Sequence, residues 1–171
     1  VSDYKVEPLD GEYNYASKGF YYVKTLSNGN YLYEKQDSDA YEILIHRVSS
    51  NMEFISEIKL SNMKDSYIDD IYEISNDELL IAVSNHGQEK NIYYYNKYDK
   101  NGKMIFSKKV ESDGFPKLYY DEIFDNFVLI NELEGRNIIT KYDSNWKEVA
   151  KYELDDVYYV GGFVSDEEGI A

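Results

Sequence analysis

Cysteine is absent from this chain, which excludes disulfides, thiolate metal sites and a cysteine nucleophile. Positive charge is scarce. Lys and Arg together number 18 against 33 Asp and Glu, for a net charge of −15. A phosphate backbone selects Lys and Arg, so nucleic-acid binding is not expected, and neither is docking on an anionic membrane. The ligand chemistry left open is neutral or cationic. Only Arg47 and Arg136 are arginines, while Asn, Lys, Ile and Tyr abound, a bias of the kind an AT-rich genome produces. No apolar run approaches the roughly 18–20 residues of a membrane span, so no membrane insertion is expected. Proline occurs twice, and no Pro-, Gly- or Ser-rich stretch marks a domain boundary. The chain opens on Val1 rather than Met, with no signal peptide, so a processed or trimmed start is expected. There is no Gly-x-Ser-x-Gly elbow and no Gly-rich phosphate loop, and no cofactor is expected.

What is present is tyrosine, 20 copies in 171 residues. With Val, Ile and Phe it favours half-buried pleated surfaces. Apolar runs alternate with turn signals along the chain. Phe20 to Leu26, Tyr31-Leu32-Tyr33 onward, Tyr41 to Val48 and Met52 to Leu60 read as four consecutive strands. The order repeats over Tyr67 to Ile74, Leu79 to Val83, Ile92 to Tyr98 and Met104 to Val110. It repeats again over Leu118 to Phe124, Phe127 to Asn131, Asn137 to Tyr142 and Trp146 to Leu154. Val157 to Phe163 begins a fourth copy, which breaks off inside its second strand. Helical periodicity is weak; Lys64 to Ile74 is the best candidate, and the repeat alignment favours strand there.

The spacing supports the alignment. Tyr31, Leu79 and Phe127 open the second strand of each copy and lie 48 residues apart. The turns Arg47-Val48-Ser49-Ser50-Asn51, Lys97-Tyr98-Asp99-Lys100-Asn101 and Lys141-Tyr142-Asp143-Ser144-Asn145 follow each third strand. Repetition with a period of 40–50 residues signals a propeller, solenoid or array. The expected fold is an all-β propeller, or an open arc of one, with four-stranded antiparallel blades; a β-sandwich is the alternative. The expected organisation is one domain over residues 1–171, with repeats at 18–60, 66–110 and 116–154 and a partial one at 155–171. The first residues, Asp3 to Leu9, read as a lone fourth strand.

Lys97 to Lys108, with Asp99-Lys100-Asn101-Gly102 at its turn, resembles a repeat of bacterial extracytoplasmic β-propellers. Ser27-Asn28-Gly29-Asn30-Tyr31-Leu32 and Ser75-Asn76-Asp77-Glu78-Leu79-Leu80 correspond to the other element of that repeat. The resemblance covers nearly the whole chain. The family's double Gly is absent, Phe106 stands in place of its Trp, and Trp146 is shifted in register. What the resemblance implies is a fold and a location outside the cytoplasm, extracellular or in the cell envelope. It implies no single activity, because propellers host many.

The candidate chemistry is sparse. His46 and His86 have no His-x-x-x-His or His-Glu companion, so no zinc site is expected. Asp37-x-Asp39 and Asp99-x-Asn101-Gly102 look like calcium loops but lack the alternating carboxylates and the closing Glu. Asp and Asn there are expected to cap turns. Asp69-Asp70 and Asp121-Glu122 lie in first strands, which line the channel of a propeller. Strand alternation puts the members of each pair on opposite faces. Tyr21-Tyr22, Tyr119-Tyr120 and Tyr158-Tyr159 also fall in first strands, and tyrosine suits sugar and protein contacts. The candidate ligand-binding set is therefore Tyr22, Asp70, Tyr120, Asp121 and Tyr159, with no catalytic and no metal-binding residue.

Three functional expectations follow. The first is a non-catalytic binding or scaffold module of an exported bacterial protein, with a protein or glycan as partner. The second is a carbohydrate-active enzyme using Asp70 and Asp121 as a carboxylate pair. The third is a structural module that forms oligomers through an unpaired blade edge.

Overall fold

The computed structural model describes residues 18–85 and 91–154, together with Tyr15 and the pairs 165–166 and 169–170. The first sheet comprises β1 (Tyr21–Thr25), β2 (Tyr31–Asp37), β3 (Glu42–Val48) and β4 (Phe54–Leu60). The second comprises β5 (Ser66–Ile74), β6 (Glu78–Asn85), β7 (Asn91–Tyr98) and β8 (Met104–Ser112). The third comprises β9 (Lys117–Asp121), β10 (Asn126–Leu133), β11 (Arg136–Tyr142) and β12 (Glu148–Leu154). Each is an antiparallel meander whose strands lie side by side in chain order. A short hairpin, β13 (Ser165–Asp166) with β14 (Gly169–Ile170), follows. The protein is thus all-β and built from repeated blade-like sheets. Closure of the sheets into a ring is not seen among the described residues. Lys64 to Ile74 is strand from Ser66 onward, not helix.

The three turns that carry the repeat share one geometry. In each, the first residue's backbone N–H donates across the turn, from Ser49 to Glu53 (2.8 Å), from Asp99 to Lys103 (2.9 Å) and from Asp143 to Lys147 (3.0 Å). The first residue's side chain caps the same turn. Asp99 Oδ1 accepts from Asn101 and Lys103, Asp143 Oδ1 from Asn145 and Lys147, and Ser49 Oγ from Glu53. The fourth position is left-handed in every copy: Met52 (φ 65), Gly102 (φ 82) and Trp146 (φ 58). Trp146 therefore occupies the place held in the second copy by Gly102, and β12 begins two residues later, at Glu148. The aspartates that look like calcium ligands are turn caps. Asp37 is another, accepting from Asp39 and Ala40.

The chain divides into two compact units. One holds β1–β4 with the segment Tyr98–Met104; the other holds the second and third sheets without that segment. In the first unit Phe20, Tyr33, Val48 and Tyr15 form a small aromatic core. Tyr15 stacks on Tyr33 with ring centroids 4.7 Å apart. The buried Arg47 reaches the Lys100 carbonyl of the inserted turn, at 3.4 Å.

In the second unit the two sheets pack face to face. Leu80, Ala82, Tyr93, Tyr95 and Val110 of one meet Leu118, Phe127, Leu129 and Tyr142 of the other, around Trp146. The Trp146 ring stacks on Phe127 (4.8 Å), Tyr95 (5.6 Å) and Phe106 (5.7 Å). Each such aromatic removed from water contributes roughly 1.5–3 kcal/mol. The opposite faces are buried too. Leu79, Ile81 and Val83 on β6 are as inaccessible as Leu80 and Ala82. On β10, Val128 and Ile130 pack with Ile139 behind Phe127 and Leu129. A sheet with one solvent face alternates buried and exposed; β6 and β10 do not.

Candidate functional site

The first strand of the second sheet, β5, carries an irregularity that the repeat alignment hides. Ile68 pairs with Val83 and Asp70 with Ala82, so the register shifts by one residue at Asp69. It is a β-bulge, and bulges re-aim side chains. Strict alternation would send Asp69 and Asp70 to opposite faces. The bulge corrects that expectation: both line one cleft, of about 350 Å³, inside the second unit.

Tyr72, two residues beyond Asp70 on the same face, extends this wall, and Tyr93 and Tyr95 of β7 stand beside it. Lys117, Leu118 and Tyr119 of β9 form the opposite side, and Phe115 and Pro116 form the rim. The rim loop is pinned from two directions. Ser112, with no exposure, donates from its hydroxyl to the Glu132 carbonyl (3.1 Å), and the Tyr93 hydroxyl donates to the Gly114 carbonyl (3.4 Å). Phe115 is left 79% exposed at the mouth.

Ser84, fully buried on β6, donates to Asp69 Oδ1 at 2.9 Å. Asp70 Oδ1 accepts from the Ile71 N–H at 2.7 Å. Burial raises the Tyr72 phenol well above its ordinary value, and the nearby Asp70 and Asp69 charges add to the rise. Burial likewise raises Tyr95 and Tyr93, with Asp69 reinforcing both. At neutral pH the three tyrosines are therefore hydroxyl donors. Tyr95 is 2% exposed. The cleft can therefore offer two carboxylate acceptors, phenol donors and flat ring surface to one small ligand. Among the described residues, no group of three or more His, Asp or Glu could hold a metal ion.

Of the five residues singled out from the sequence, Asp70 lines the cleft. Tyr120 does not. Its hydroxyl accepts from the Ser75 N–H (3.0 Å) and donates to Asp125 (2.9 Å), tying the turn after β5 to the turn after β9. Asp121 caps that second turn, accepting from Ile123 (3.0 Å) and Phe124 (3.3 Å). Strand β9 accordingly ends at Asp121 rather than at Phe124. Tyr22 lies in the first unit, half exposed, with its hydroxyl 2.9 Å from Thr25 Oγ1. Tyr159 lies outside the described residues. Register also separates the tyrosine pairs. Tyr22 faces Tyr33, while Tyr120 faces Phe127, the counterpart of Tyr31. The two tyrosines are therefore not equivalent positions.

The sequence reading missed Tyr93, Tyr95 and Lys117. The Tyr93-Tyr94-Tyr95 run carried a usable signal, because alternation sends its outer members to one face. No protein-family model and no curated protein sequence matches the chain.

Proposed function

We propose that this protein is a non-catalytic binding module of an exported bacterial protein, and that it takes a glycan in the cleft beside β5. Its blade-like sheets belong, on this reading, to a β-propeller or an open arc of one. The resemblance of Lys97 to Lys108 to extracytoplasmic propeller repeats supports both the arc and the export.

One observation carries the ligand class. The bulge at Asp69 sets two carboxylates next to the rings and hydroxyls of Tyr72, Tyr93 and Tyr95. Carboxylates accept hydrogen bonds from sugar hydroxyls, and tyrosine presents a flat apolar body with a polar tip. The size suits one or two sugar rings, being within the usual range for ligand pockets, about 300–1,000 Å³. Catalysis is disfavoured because a glycosidase flanks the scissile bond with two acids. Here Asp121 caps a turn, and Asp69 and Asp70 are consecutive on a single strand.

A glycan array with the purified protein tests the reading, followed by calorimetry on any hit. Binding that falls at least tenfold in Asp70→Ala supports it. An array with no hit, and no perturbation of the cleft tyrosines by any sugar, overturns it.

A further inference from the structure

We infer that Asn28 is a site of spontaneous covalent modification, deamidating to aspartate and isoaspartate in the folded protein, and that the fold shields the same dipeptide at Asn101-Gly102 from this reaction.

Asn28-Gly29 and Asn101-Gly102 are the two Asn-Gly sequences of the chain, and they sit in turns with one backbone skeleton. The Gly29 N–H donates to the Leu26 carbonyl (2.9 Å) and the Leu26 N–H to the Asn30 carbonyl (2.7 Å). The Gly102 N–H donates to the Asp99 carbonyl (3.0 Å) and the Asp99 N–H to the Lys103 carbonyl (2.9 Å). Both glycines have φ 82, both turns belong to the first unit, and both asparagines are exposed. The pair is matched in dipeptide, backbone and access to water.

The two turns differ in their caps. Asp99 Oδ1 accepts from the N–H groups of Asn101 and Lys103, each at 2.9 Å. Leu26, in the place of Asp99, has no side-chain acceptor. The N–H that corresponds to that of Lys103 is taken by Asn28 itself: Asn30 donates to Asn28 Oδ1 at 3.0 Å. This Asx turn folds the Asn28 carboxamide back over the peptide that follows it. It also sets an N–H on the oxygen where negative charge develops when Cγ is attacked.

The turns differ in packing as well. A Cβ on Gly102 would collide with the Glu57 carbonyl, whereas one on Gly29 meets nothing within 4 Å. Ring closure swings the Asn-Gly peptide and takes the glycine N–H out of its turn bond. Open space around Gly29 permits the swing, and the backbone beside Gly102 opposes it. In the reaction the Gly29 amide nitrogen gives up its proton and bonds to Asn28 Cγ. The Cγ–Nδ2 bond breaks, and ammonia leaves with that proton. Water then opens the succinimide at either carbonyl, giving aspartate or isoaspartate. The isoaspartate runs the main chain through Cβ and lengthens the turn by one atom, so the ladder is expected to fray at Thr25 and Tyr31, which pair next to this turn.

Peptide mapping by mass spectrometry, with fragmentation that separates isoaspartate from aspartate, tests this on protein held at mildly alkaline pH, folded and in urea. In the folded protein Asn28 is expected to convert at least tenfold faster than Asn101, and in urea the gap is expected to close. Asp99→Ala frees the Lys103 N–H and is expected to raise the Asn101 rate in the folded protein; an unchanged Asn28 rate and near-ultraviolet spectrum verify folding. Asn101 converting as fast as Asn28 in the folded protein overturns the proposal. An Asn28 that stays intact while the unfolded chain converts overturns it too. A gap that persists in urea assigns the difference to the neighbouring residues and removes the role given to the fold.

Discussion

Ser84, fully buried near the end of β6, donates a hydrogen bond of 2.9 Å to Asp69, the bulge residue at which the register of β5 against β6 shifts. The donor has no access to solvent, whereas the acceptor looks into the cleft. That bond fixes the bulge, and the bulge sets the second carboxylate beside Asp70. Stability and cleft geometry therefore meet at one hydroxyl.

Ser84→Ala removes the donor to a charged acceptor. The expected loss is about 1.5–3 kcal/mol, read from the urea midpoint. If the bond also aims Asp69, affinity for any glycan found to bind the cleft falls in the same variant even where it remains fully folded. Unchanged stability would show that Asp69 is held by its other contacts.

Gly102 and Gly29 share a φ of +82 but not surroundings. A Cβ on Gly29 meets nothing within 4 Å, whereas one on Gly102 would collide with the Glu57 backbone carbonyl of the same unit. Gly29→Ala is expected to cost about 1–2 kcal/mol, the left-handed penalty alone. Gly102→Ala is expected to cost clearly more. Equal thermal shifts in the two variants would refute the close approach.

Trp146 anchors the core of the second unit from a left-handed position at the start of β12. Trp146→Ala is expected to destabilise by about 3–5 kcal/mol. Trp146→Gly would relieve the backbone while losing the same ring, so it is expected to recover a small part of that loss. Urea denaturation of the two variants gives the difference directly.

Burial pushes the Tyr98 phenol up from 10.0 to about 12, and raises Tyr95 and Tyr72 as well. Each is held neutral by the fold, and the unfolded chain ionises first as pH rises. The stability that depends on this is complete below pH 10.0, the unfolded value, and is lost as pH climbs through about 12. Urea midpoints should therefore be insensitive to these groups at neutral pH and fall in that alkaline window. Phenolate absorbance from the buried tyrosines should appear together with unfolding. Full ionisation of all tyrosines with the fold intact would contradict their burial.

The repeat was legible because its signal is local. Tyr31 opens β2, Leu79 and Phe127 are the second residues of β6 and β10, and the turns at Ser49, Asp99 and Asp143 share one hydrogen-bond pattern. Aspartate and serine write such turns by bonding their own backbone, so sequence suffices to find them. Strand ends were less legible. Phe124 looks like strand by composition, yet Asp121 caps a turn three residues earlier and takes it out of the ladder.

The site was only half legible. Asp70 stood out as a first-strand acid, and Tyr93 and Tyr95 were hidden inside an ordinary tyrosine-rich third strand. By itself the sequence determined the strand order, the turns and the acidic, tyrosine-rich character of the surface, since each depends on neighbours a few residues apart. Tertiary structure alone decided that Asp69 joins Asp70 in one cleft and that Tyr120 serves as a tie between turns. The reason is physical: a bulge is a mismatch between two strands, and a cleft is a gap between two sheets. Neither exists until distant segments of the chain have paired and packed.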